Sequence, residues 1–310
     1  MKVKKAVNKM LTLIKSYVAP DPSSIDMLTS KGFVQDLIFR IKIVDVLGMG
    51  AQLAYFFLLS LFPMLIFLVT LLPYLNLEQG QVFDFLSNIM PGEVYKLIEG
   101  TLTDVLNDQN GGLLSIGILG TIWSASRGVN ALIKALNRAY NVEERAGILN
   151  RMWSFIFTIS LVVVILIALV LPIFGHQIGH IVFAYIGVEE SFERLFNSIR
   201  WIIPPALIFI LLTGMYWIVP NTDPRLTMIS VFPGAVFATV GWLTLTYGFS
   251  FYISNFGNFS STYGSIGGVI ILMLWLYFTG MMLIFGGLLN ATFQKRHLAK
   301  KSLEAKSPVF

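Results

Sequence analysis

The chain has 310 residues, 55% of them apolar and only 13% charged, with a formal net charge of +5 and a mean hydropathy of +0.74. Soluble domains carry about 25% charged residues, and this composition excludes a disordered chain and a collagen-like fibre. With no cysteine, a disulfide scaffold, a Cys-based zinc site, thiol catalysis and an iron–sulfur cluster are excluded as well.

Residues 1–45 read as a basic interfacial region. Val3, Val7, Met10, Ile14 and Tyr17 recur on one helical face, with Lys2, Lys5, Lys9 and Lys15 on or near the other. That is the pattern of an amphipathic helix lying on anionic lipid, and Pro20–Asp21–Pro22 ends it. No long apolar run of the signal-peptide kind occurs there.

Five stretches lack Asp, Glu, Lys and Arg altogether: 46–77 (32 residues), 109–126 (18), 152–188 (37), 201–222 (22) and 226–294 (69). A helical span takes about 20 predominantly apolar residues, because every backbone polar group must be satisfied within the segment. The last stretch holds two spans, with the polar 254–265 as their turn. Six spans are therefore predicted, with cores at 51–75, 112–126, 153–175, 201–219, 228–253 and 266–293. The second is short, and its helix is expected to run on beyond Arg127, whose side chain reaches back to the interface. Between the first two spans, 78–108 repeats apolar residues at helical spacing on both sides of Pro91–Gly92, which predicts an outer helical hairpin. The fold class is all-α, a polytopic membrane bundle with its transmembrane domain over 46–293 and a basic tail over 294–310.

Charge assigns the sides. The tails and the loops on their side carry 19 of the 22 Lys and Arg residues, and the opposite loops carry 3. The bias places both termini in the cytoplasm. It also removes nucleic acid as a partner, since the basic excess marks topology rather than a binding face.

Short motifs echo along the chain. Ser60-Leu-Phe-Pro63 matches Ser230-Val-Phe-Pro233, Ser115-Ile-Gly117 matches Ser265-Ile-Gly267, and Leu136-Asn137 matches Leu289-Asn290. The order is conserved within the chain, as in a parallel repeat of transporter type. Pro63, Pro172, Pro204–Pro205 and Pro233 are expected to kink or break helices, and Gly234/Ala238 permits close helix contact. Ser60, Ser124 and Asn290 are the candidates for a polar path beside the kinks at Pro63 and Pro233. Arg127, Asn130, Lys134 and Arg138 recur every three or four residues and form a polar, basic stripe suited to a phosphate-bearing headgroup. His176 and His180 lie one turn apart and are weak metal candidates, because a catalytic zinc site takes three protein ligands. No acidic residue occurs inside a span, and no HExxH, GxSxG or P-loop pattern is present.

Residues 51–63 (AQLAYFFLLSLFP), 135–144 (ALNRAYNVEE), 263–277 (YGSIGGVIILMLWLY) and 286–291 (GGLLNA) resemble the YihY/BrkB family of bacterial inner-membrane proteins, long catalogued under the name ribonuclease BN. The resemblance spans about 36–293 and implies six helices with both ends cytoplasmic. It implies no settled activity, and nothing in the residues supports RNA cleavage. Where the family commonly has Glu before the closing Leu-Asn-Ala, this chain has Leu288. The expectation is an inner-membrane transporter or flippase-like protein, envelope-related, for a lipid or other amphiphile. It needs no cofactor and is not an enzyme. Its partners are membrane lipids and an amphiphilic or anionic substrate. An ion or small-solute transporter and a non-transporting scaffold are the alternatives.

Overall fold

The computed structural model describes residues 25–71, 111–186, 202–256 and 266–304, with isolated positions between 80 and 99. The regular elements among them are all helical: α1 (Ser30–Val44), α2 (Val46–Leu71), α3 (Gly111–Tyr140), α4 (Gly147–Ile186), α5 (Ile203–Ile218), a 3-10 turn (Met228–Val231), α6 (Phe232–Phe256) and α7 (Gly267–Glu304). Helices α2 to α7 overlap the six predicted cores in order. The basic helix expected near the N-terminus lies outside the described residues, as does most of 78–108. Within that stretch Gly80, Phe83, Ser87, Gly92, Tyr95, Lys96 and Glu99 are helical.

Among the described residues, three segments are long and apolar enough to cross a membrane: Gly147–Ala168, Met228–Ile253 and Gly267–Glu304. A fourth arises if α1 and the first part of α2, which meet at a 52° bend, count as one broken span. Asp45 makes that bend, with left-handed φ 53° and its backbone N–H on the carbonyls of Ile41 and Lys42. Its carboxylate also accepts from Gly48 N at 3.3 Å. Helix α1 carries Lys31, Asp36, Arg40 and Lys42 among its apolar residues, so no apolar run reveals it in the sequence.

Successive helices pack side by side from α2 to α6, and α7 closes the set by packing on α1, α2, α3 and α6. Helix α3 is the interior element, touching α1, α2, α4 and α7. This explains its modest hydropathy, since a helix covered by protein does not have to match lipid. Its buried hydroxyls fold back on their own helix, Thr121 onto Gly117 O at 2.7 Å and Ser126 onto Trp123 O at 2.8 Å, as Ser and Thr do where no other acceptor is near.

Glycines set the close crossings. Pro63, inside α2, removes one backbone hydrogen bond, and Gly117 of α3 sits against that turn. A Cβ at Gly117 would lie 3.0 Å from Phe67 N and 3.2 Å from Pro63 O. A Cβ at Gly234 in α6 would lie 2.0 Å from Gly286 O in α7, and one at Gly286 would lie 2.9 Å from Ala238 Cβ. The small-residue pair Gly234/Ala238 is therefore the seat of α7.

Pro172 falls within the helical run of α4, whereas the prolines at 204, 205 and 233 act differently from Pro63. Pro204 and Pro205 open α5 and Pro233 stands in the first turn of α6, where the missing N–H has no intrahelical partner to lose. These positions start helices rather than kink spans. The echo between Pro63 and Pro233 thus joins a mid-helix residue to a helix-start residue.

Candidate functional site

One end of the bundle gathers α1, the C-terminal turn of α3, the loop after α5 and the C-terminal half of α7. Positive-inside counting assigns all four to the same side. A half-open cleft of about 460 Å³ lies between them, lined by Asp36, Arg40, Arg138, Tyr140 and Lys295 together with Asp223 at its exposed rim.

Asp36 organises the floor. Its side chain is fully buried and both oxygens are occupied, Oδ2 by Arg40 Nε at 2.6 Å and Oδ1 by Lys295 Nζ at 2.7 Å. A carboxylate out of water is tolerable only with such partners. Arg40 also donates through Nη1 to the carbonyl of Ala139, which satisfies one of the free acceptors at the end of α3. Asp36 and Arg40 are one turn apart on α1, so a single side-chain pair ties α1 to both α3 and α7. Phe33 packs on Phe293 with ring centroids 4.9 Å apart, and Arg296 donates to Leu28 O at 3.3 Å.

The remaining groups are less satisfied. The guanidinium of Arg138 is exposed and lines the cleft. The Tyr140 hydroxyl is buried without a partner, and burial pushes its pKa well above the ordinary tyrosine range although Arg40 beside it acts the other way. Lys295 is 40% exposed, so its ammonium has donors to spare. Nearby, Arg145 donates to Ile218 O at 2.9 Å and lies over the Trp153 ring. Burial and the adjacent Arg225 both lower its pKa.

Two buried asparagines pin the segment joining α5 to α6. Asn137 Oδ1 accepts from Asn221 N at 3.2 Å, and Asn290 Oδ1 accepts from Gly234 N at 2.7 Å. The Leu-Asn echo thus corresponds to a shared job, each amide oxygen capping a backbone N–H at one end of that segment.

The residues singled out in the sequence divide between places. Arg127 is exposed, its guanidinium 4.4 Å from the Trp123 ring centroid, and Asn130 accepts from Ser154 Oγ of α4 at 3.4 Å. Lys134 is half-buried, and Arg138 alone of the four joins the cleft. The eleven helical steps from Arg127 to Arg138 cover about 16 Å, so the stripe runs along α3 and does not converge on one ligand. Ser60 bonds to Phe57 O at 2.9 Å and Ser124 to Gly120 O, each within its own helix. His176 and His180 fall in the helical run of α4, and their side chains lie outside the described residues. Sequence reasoning passed over Asp36, Arg40 and Lys295. The signal was the i, i+4 acid–base pair on an otherwise apolar α1 face.

A family model described as Virulence factor BrkB matches residues 38–309. The chain belongs to this family. A Bacillus subtilis (strain 168) protein named putative ribonuclease-like protein YfkH is 44% identical over 265 residues, covering 85% of this chain and 96% of that protein. A UPF0761 membrane protein of Actinobacillus pleuropneumoniae is 27% identical, covering 56% of this chain and 64% of that protein. Another, from Alteromonas mediterranea, is 25% identical, covering 76% and 79% respectively. No solved structure matches the chain. With its apolar helices and these relatives, this BrkB-family chain is a membrane protein.

Proposed function

We propose that this BrkB-family chain is a six-span inner-membrane transporter, flippase-like in handling a lipid or other amphiphile, with both termini cytoplasmic and the helical hairpin outside. The supporting observation is the cleft at the charge-rich end. It sets Arg40, Arg138 and Lys295 beside apolar Phe39, Ile43 and Leu298, the mixture a headgroup with an attached chain would need. The six helices support the span count. Helices α3 and α5 gain in protein contacts what they lack in length or hydropathy, so each can cross inside the bundle. Large apolar side chains on α4 and α6, including Ile159, Val163, Val240 and Phe251, face outward, as lipid-facing residues do. The candidate polar path has weaker support, because Ser60 and Ser124 spend their hydroxyls on their own helices, and the ion-transporter reading weakens with it.

The test is lipid translocation in proteoliposomes carrying a headgroup-labelled phospholipid, read by dithionite quenching of the outer leaflet. Transport predicts faster loss of the protected fraction than in protein-free liposomes. Equal rates across several headgroups would sink the flippase reading.

A further inference from the structure

We infer that the cleft is a phosphoryl-group site in which Arg138 and Lys295 hold the anion. The choice of a phosphate-bearing amphiphile as ligand rests on the transporter reading above. Two observations converge on this chemistry. Arg138 presents a planar fork of donors, and among the described residues nothing pairs with it. Lys295 spends one ammonium proton on Asp36 Oδ1 and keeps two.

Asp36 does not oppose this arrangement. Both its oxygens are already taken, and it acts as a positioning residue that fixes Lys295 toward the cleft. The charge balance favours an anion, with three cationic side chains against Asp36 and the exposed Asp223. An Arg fork matches two oxygens of one phosphoryl group and Lys serves as a point charge. At about 460 Å³ the cleft exceeds a bare phosphate, and Phe39, Ile43 and Leu298 provide an apolar wall for the chain attached to it.

The experiment is calorimetric titration of the purified full chain in an uncharged detergent. The probes are dihexanoyl phosphatidic acid, dihexanoylglycerol and inorganic phosphate. Saturable binding of the phosphatidic acid is expected, weakened about 10-fold or more by Arg138→Gln. Lys301→Gln, which removes an equal charge away from the cleft, serves as the control and is expected to bind like the wild type. Inorganic phosphate binding as tightly as the lipid would support the site and assign it to a free anion. No saturable binding, wild-type affinity in Arg138→Gln, or equal binding of dihexanoylglycerol would each overturn the proposal. Binding without translocation would instead retire the transporter reading and leave the site standing. Among the described residues the Arg138 side chain has no partner to lose, so the substitution is expected to leave the unfolding temperature unchanged, which checks that the variant is folded.

Discussion

Asn290 illustrates what a single buried amide does in an apolar bundle. Its oxygen takes the N–H of Gly234 at the start of α6, a donor that lies before the first helical acceptor. Water is not at hand, because Asn290 is fully buried. Asn290→Leu, close in shape, is expected to strand that N–H and cost about 1–3 kcal/mol, measurable as a lower unfolding temperature in detergent. An unchanged temperature would show that the cap is energetically idle. Asp36 offers a second case at this scale, because it holds two cations unequally. The Arg40 side chain is 12% exposed and Lys295 is 40% exposed, and solvent screens the more exposed pair. Double-mutant cycles with Asp36→Ala are therefore expected to give a larger coupling to Arg40→Ala than to Lys295→Ala. The reverse order would mean that the α7 tether dominates. Neither Asp36 nor Lys295 was legible as a site residue, because they stand 259 positions apart and only tertiary packing joins them. Arg138 was legible because its stripe follows helical spacing, though the cluster it joins is not the stripe.

Among the elements, helices α2 to α7 were readable because their apolar segments exclude charge for whole turns at a time. The continuation of α3 past Arg127 to Tyr140 followed from its shortness as a span. Helix α1 was not readable, because mixed charge hides it from hydropathy and its fixing contacts lie on α7. Proline behaved by position: Pro63 within α2 meets a glycine surface on α3, while Pro233 starts a helix. The bent junction at Asp45 leaves α1 held mainly by Asp36, Arg40 and the Phe33–Phe293 ring pair. The chain has no native cysteine, so a cysteine pair gives an unambiguous report on that strap. In the Phe33→Cys/Phe293→Cys variant a short bismaleimide is expected to join α1 to α7 within the membrane, as a mobility shift after cleavage between the two helices. Should the cleft open by α1 swinging away, cross-linked protein would lose lipid translocation while the same variant without the cross-linker retains it. Failure to cross-link in native membranes would mean that α1 does not rest on α7 there.

For the molecule as a whole, charge distribution and packing lead to the same arrangement by separate routes. The Lys- and Arg-rich segments were grouped on one side by counting alone, and the described structure brings α1, the end of α3, the loop after α5 and the end of α7 around one cleft. Because cytoplasmic Lys and Arg resist translocation during insertion, that end is proposed to face inward. Cysteines placed one at a time test this directly. Glu143→Cys in the loop after α3 and Ser302→Cys near the end of α7 are both exposed and are expected to resist a membrane-impermeant maleimide in intact spheroplasts, reacting only after permeabilisation. Gly92→Cys, exposed in the segment between α2 and α3, is expected to react without it. Labelling of Glu143→Cys from outside with protection of Gly92→Cys would invert the protein. Reaction of Glu143→Cys and Ser302→Cys from opposite sides would require an odd number of crossings between them, and the four-crossing arrangement of α4 to α7 would have to be abandoned.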